Sequence, residues 1–169
     1  MKLLSSFSIL FILLGFNTNQ MLAPTSVSES YCNPRFGYCF SYDAAIFNKI
    51  PDGINADGIL ITDKSGLVTL EAYGSFNPYH LNVATLLEQN LAYLLRNHPA
   101  TVRSIKQYKN EKSYSVTIVT ADSYIKQEML LNEFYYKVLT VEVGRSKKSL
   151  LKHVMESTHF EQNDAMVVH

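Results

Sequence analysis

The stretch Tyr31–Asp43, reading YCNPRFGYCFSYD, constrains this chain more than any other. It holds both cysteines, Cys32 and Cys39, and joins them through turn formers. Pro34 presets φ, Asn33 can hydrogen-bond its own backbone and Gly37 tolerates positive φ, so the chain can double back and bring the two thiols together. Tyr38–Tyr42 then reads as a strand rich in aromatic residues. The favoured reading of the pair is a structural disulfide, which for so short a loop contributes about 2–3 kcal/mol in the simple entropic account. Free buried thiols, a redox pair and a metal site are the competing readings. The spacing is wider than the CxxC of redox motifs, and two cysteines without a nearby histidine make a poor zinc site.

Two cysteines forming one pair suit an oxidising compartment, and the start of the chain agrees. Lys2 is followed by an almost unbroken apolar run to Phe16, the charge and core of a secretory signal peptide, shorter than the ~20 residues a membrane span needs. The expected organisation is a signal peptide over 1–20, a flexible lead over 21–30, one α/β domain over 31–160 and a loose tail over 161–169. Export to a periplasmic or secreted location follows from it, with no stable membrane span in the mature chain.

Further motifs carry a resemblance. Tyr31, the run Asn33-Pro34-Arg35-Phe36-Gly37-Tyr38 and Tyr42 are followed by Asn55-Ala56-Asp57-Gly58 and by Thr69-Leu70-Glu71-Ala72-Tyr73-Gly74-Ser75. This series resembles small secreted bacterial proteins of unknown function related to the PsbP-like α/β sandwich fold. Asp43-Ala44, where those proteins usually carry a proline, and Ala56, where they carry a glycine, depart from the pattern. The resemblance covers about Tyr31 to Phe160 and implies an α+β fold: an antiparallel sheet of about six to seven strands ending in a meander, with one long central helix and one C-terminal helix packed on it. It also implies an accessory or scaffolding role rather than a defined activity.

The residues themselves give the same elements. Ala44–Asn55 reads as a loop. Gly58–Asp63 and Leu67–Tyr73 are short strands joined by the turn Asp63-Lys64-Ser65-Gly66, which makes Asp57 and Asp63 turn residues before metal or acid–base carboxylates. Asn77-Pro78 has the signature of a helix start, with Asn77 as cap. Val83, Ala84, Leu87, Leu91, Leu94 and Leu95 then supply an apolar face, and His98-Pro99 closes the helix. From Thr101 to Val143 the pattern alternates with period two, with turns at Asn110-Glu111, Ala121-Asp122 and Asn132-Glu133, predicting four strands in sequential antiparallel order. Ser146 is the expected cap of a last helix with Leu150, Leu151, Val154 and Met155 facing inward, and Phe160 the plug of the core.

Function is bounded mainly by exclusion. Lys+Arg and Asp+Glu both number 15 and form no basic block, so nucleic acid is not an expected partner. Nucleophile-elbow, phosphate-loop, dinucleotide-binding and zinc-protease motifs do not occur. No cofactor and no metal site is expected. His80 reads as a capping or surface residue, and His153 as a neutraliser of the last helix's C-terminus. Arg145, Lys147, Lys148 and Lys152 read as a solvated face. The candidate binding patch is Tyr31, Tyr38, Tyr42, Tyr73 and Tyr79, because tyrosine combines rigid contact area with a polar tip. The expected role is therefore a non-catalytic binding or accessory domain for an unknown protein or small ligand. The alternatives are an immunity-type inhibitor of a secreted toxin and a small hydrolase with an unrecognised site.

Overall fold

The structure, a computed structural model, describes residues 27–48, 57–98 and 102–161. The signal-peptide segment, most of the lead, part of the Ala44–Asn55 loop and residues 162–169 lie outside the described residues.

Among the described residues nine antiparallel strands divide between two sheets, and two α-helices flank them. β1 (Ser28–Asn33) and β2 (Tyr38–Asp43) form a hairpin about the expected turn, of which only the second strand was expected, with Cys32 directly opposite Cys39. This hairpin does not join the main sheet. It makes a three-stranded sheet with β9 (His159–Phe160), a strand of two residues after the last helix. β3 (Gly58–Thr62), β4 (Val68–Phe76), β5 (Ser104–Lys109), β6 (Ser113–Val119), β7 (Ser123–Leu131) and β8 (Tyr135–Gly144) form the large sheet. Its order is β3-β4-β8-β7-β6-β5, so β5 to β8 are the meander expected from the sequence. The expectation of one sheet with six to seven strands is corrected to two sheets, and β1 begins at Ser28, inside the stretch read as lead.

Period-two alternation explains how the layers assemble, since each strand offers one side chain in two to each face. Val68, Leu70 and Ala72 of β4 pair with Val143, Val141 and Leu139 of β8 and face the small sheet. Tyr31, Phe36, Tyr38, Phe40, Tyr42 and Phe160 fill that interface, joined by Val154. On the other face, Tyr114, Val116, Ile118, Ile125, Met129 and Val138 lie beneath α1 (Val83–Asn97), which buries Val83, Leu86, Leu87 and Leu94. α1 has 15 residues and lies on an outer face, so the expected long central helix is not what the chain builds. α2 (Lys148–Ser157) packs beside the small sheet on β2 and β8.

Both helix starts differ from expectation. α1 is capped by Asn82, whose Oδ1 accepts from the Thr85 amide at 3.0 Å. Asn77 instead brackets the turn before it, accepting from the Leu81 amide and donating to the Leu81 carbonyl, both at 2.9 Å. That turn places His80 at φ 49°, where a helix cannot continue, and so delays α1. Ser146 caps nothing, because residues Arg145–Lys147 form a 3₁₀ turn that leads into α2 without a side-chain cap.

Candidate binding surface

The cysteines form the expected disulfide, with Cα atoms 4.1 Å apart. It clamps the Pro34–Gly37 turn from below. Within the turn, Asn33 Oδ1 accepts from the Arg35 amide at 3.0 Å and the Phe36 amide at 3.2 Å, and Gly37 takes φ 55°. Phe36 is thereby aimed at the large sheet, where Gly74 leaves room for its ring: a Cβ on Gly74 would lie 2.2 Å from Phe36 Cγ.

The five tyrosines do not make one surface. Tyr31, Tyr38 and Tyr42 are buried in the core between the sheets, and burial raises the Tyr38 hydroxyl well above its ordinary pKa. Tyr73 is half-buried on the opposite face, its hydroxyl donating to Asn90 Oδ1 at 3.4 Å. Only Tyr79 is open to solvent, at 83%. The correction has a simple cause. Tyr31, Tyr38, Phe40 and Tyr42 lie on a hairpin sandwiched against a sheet, and their rings are the largest apolar areas available to fill that gap.

Exposed aromatic area gathers elsewhere. Among the described residues five aromatic side chains are classed as exposed, and four of them, Phe76, Tyr79, Tyr108 and Phe134, belong to one end of the large sheet. Strand register brings them there. Phe76 ends β4 opposite Tyr135, the first residue of β8; Phe134 precedes it, and its carbonyl accepts from the Asn77 amide at 2.8 Å. Tyr108 stands at the same end of β5. Phe76 is 56% and Phe134 60% exposed, a strong departure for phenylalanine.

Arg35 completes the surface. Its guanidinium lies 5.4 Å from the Phe36 ring centre and 5.6 Å from that of Phe76, and it pairs with Asp57. Both partners of that pair are more than half exposed, so it adds little to stability. It holds the guanidinium across the aromatic edge. Phe36 lies beneath, 5.2 Å from Phe76 and 6.1 Å from Tyr135 between ring centres, and ties the rim to the core. Depressions of 580 Å³, between Glu111, Lys112, Leu131, Asn132 and Glu133, and of 440 Å³, beside Asn82, Val83 and Lys109, open at this same end. The sequence carried one signal for this surface: Phe76 and Phe134 each adjoin a turn motif, where a large apolar residue has little core to enter.

Two polar arrangements elsewhere look chemical but are tied up structurally. Asp43 is 3% exposed and joins β2 to α2 through His153 Nε2 on Oδ2, while Oδ1 accepts from the Ala45 amide at 2.8 Å and the Val27 amide at 3.2 Å. Burial alone would raise this carboxyl, but the hydrogen bonds from His153 and the two amides outweigh it and hold it below its ordinary value. His153 therefore pairs with a carboxylate instead of capping the helix end. Beneath α1, Asn90 Nδ2 donates to Tyr114 Oη at 2.7 Å, Tyr114 Oη to Gln127 Oε1 at 2.7 Å, and Gln127 Nε2 to Thr140 Oγ1 at 3.0 Å. Asp63 serves its turn as expected, accepting from the Leu67 and Val68 amides. Among the described residues no group of three or more His, Cys, Asp or Glu could hold a metal ion, and no helix is long and apolar enough to cross a membrane.

The sequence matches no protein-family model and no curated protein. Among solved structures the chain is similar to cyanobacterial PsbP (CyanoP) from Synechocystis sp. PCC 6803, determined in solution. The match has a TM-score of 0.51 at 11% identity and covers 86% of this chain and 99% of that one. At that identity the likeness shows architecture alone, and the architecture of this chain is PsbP-like α+β.

Proposed function

We propose that this protein is exported and acts as a non-catalytic binding or accessory domain of the cell envelope, engaging a protein partner through the Arg35–Phe76–Tyr79–Phe134 end. The observation that carries the reading is the gathering of exposed aromatic side chains at one end of the large sheet, with the Arg35 guanidinium over the Phe76 ring. Aromatic residues and arginine dominate the energetics of protein interfaces, and clustered exposed apolar area marks interaction sites. A disulfide-clamped turn and a packed Phe36 hold this surface in place before binding, which lowers the cost of ordering it. Export is supported by the apolar run up to Phe16 and by the disulfide.

The test is native mass spectrometry of the protein purified gently from its own host, comparing wild type with a Phe76→Ser/Phe134→Ser variant. The proposal predicts a discrete complex with wild type and its loss in the variant, with the melting temperature of the free protein little changed. A complex that survives the double substitution would refute it. An immunity-type inhibitor would use the same end and would show a stoichiometric complex with a toxin. A hydrolase would have to draw on Asp43 and His153, and turnover abolished by His153→Ala would establish it in place of the binding role.

A further inference from the structure

A second feature lies on the face of the large sheet that the small sheet covers only in part. Where β9 ends, a cleft of 630 Å³ opens between Glu128 and Leu130 of β7 and His159 and Phe160 of β9. Lys137 of β8 is the direct neighbour of Leu130 and projects from the same face. Its ammonium lies 5.2 Å from the centre of the Phe160 ring.

The charges around the cleft do not balance. Glu128 is matched by Lys126, 2.8 Å away, and Lys126 also donates to the Met155 carbonyl at 3.3 Å. Lys137 is half-buried, and among the described residues no carboxylate lies within 4 Å of it. The withdrawal from water lowers its pKa. The face of Phe160 offsets this only partly. A lysine that served only as a strand surface residue would extend its ammonium into water. This one is held against an aromatic ring and next to Leu130, at the side of an open cleft lined by the apolar Leu130 and Phe160 and the polar Glu128 and His159.

We propose that the β7–β9 cleft is a binding site for a small organic carboxylate, its anionic group on Lys137 and its apolar body against Leu130 and Phe160. Lys137 lies opposite Gly74 and two residues along β8 from Tyr135, so the site adjoins the aromatic end, but it uses different side chains and does not rest on the role proposed for that end. A carboxylate would supply the missing counter-charge in a partly desolvated place, where a charge-assisted hydrogen bond is stronger than a neutral one. The cavity volume is in the range of small-molecule sites.

The experiment is an NMR titration of the full chain with 4-phenylbutyrate, with 4-phenylbutylamine and 4-phenylbutanol as the cationic and neutral counterparts. The expected result is saturable shifts of Lys137, Leu130, His159 and Phe160 with the carboxylate, and binding at least about tenfold weaker for the amine and the alcohol. Lys137→Met should weaken carboxylate binding by a similar factor, whereas Lys137→Arg, which keeps the charge, should retain most of it. Equal binding of all three compounds would overturn the proposal, as would no saturable shift at Lys137 or unchanged affinity in a folded Lys137→Met protein. Contacts in the free protein that place the chain beyond Glu161 inside the cleft would overturn it too.

Discussion

Gly74 and Phe36 should be energetically inseparable, and the structure gives both signs. Phe36 is 2% exposed and makes the joint between the disulfide turn and the large sheet. Its removal as Phe36→Ala should cost about 3–5 kcal/mol, the usual range for a buried phenylalanine. At Gly74 the backbone has no positive φ, so alanine there would ordinarily stabilise by about 0.4–1 kcal/mol through the unfolded chain. In this protein the added Cβ would sit 2.2, 2.4 and 2.6 Å from Cγ, Cδ2 and Cβ of Phe36. The ring must leave or the sheets must part, a strain of about 1–3 kcal/mol. Gly74→Ala should therefore destabilise the wild type by about 1–3 kcal/mol, which lowers Tm by about 3 °C per kcal/mol in a chain of this size. In the Phe36→Ala background the same substitution should be neutral or stabilising by up to about 1 kcal/mol, a coupling of about 1–4 kcal/mol. Urea midpoints of the four proteins at constant slope measure it. Equal costs of Gly74→Ala in both backgrounds would refute the packing argument.

Further outcomes follow from other contacts. Replacing Cys32 and Cys39 by serine should lower stability by about 2–3 kcal/mol, measured by urea denaturation; under reducing conditions the wild type should fall to the same value. Asp43 has a folded pKa below its unfolded one, so its contribution is present above about pH 3.9 and is lost as pH falls through that value and below. The stability gap between wild type and Asp43→Asn should accordingly shrink between about pH 5 and pH 3 in thermal melts; a gap unchanged over that interval would contradict the pairing. Tyr114→Phe should cost about 1–3 kcal/mol because it strands the Gln127 carbonyl and the Asn90 amide beneath α1, whereas Tyr79→Phe at the exposed turn should change the urea midpoint hardly at all.

Much of the fold is local and was therefore legible. The Pro34–Gly37 turn, its disulfide and the β5–β8 meander rest on turn residues and period-two alternation that can be counted in the sequence, whereas β1 lies partly in the stretch that reads as lead. The division into two sheets is not local. β2 buries nearly every side chain, so its alternation does not say which sheet it joins, and β9 is too short to leave a pattern. Asn77-Pro78 carries a real capping signature, but the Asn77 side chain closed a turn onto Leu81 and left the cap to Asn82. The candidate site was legible only in residue type. Tyrosine content pointed to a binding surface, yet three of the five tyrosines went to the core, because the sandwich needed their area there. The exposed aromatics proved to be Phe76 and Phe134, whose neighbourhood is set by a strand pairing some sixty residues long in sequence. Asp43 and His153 are 110 residues apart, and no spacing rule announces such a pair.

The Arg35 end is the surface we propose for partner binding. The most direct test of that role is site-specific photo-cross-linking of the full chain in its own host, with the probe at position 134 or, as a control, at position 60. Leu60 is also exposed, at 66%, but lies on the edge strand β3 away from the aromatic end. The account predicts one discrete protein adduct from position 134 and none from position 60. An adduct from position 60 with none from position 134 would contradict it.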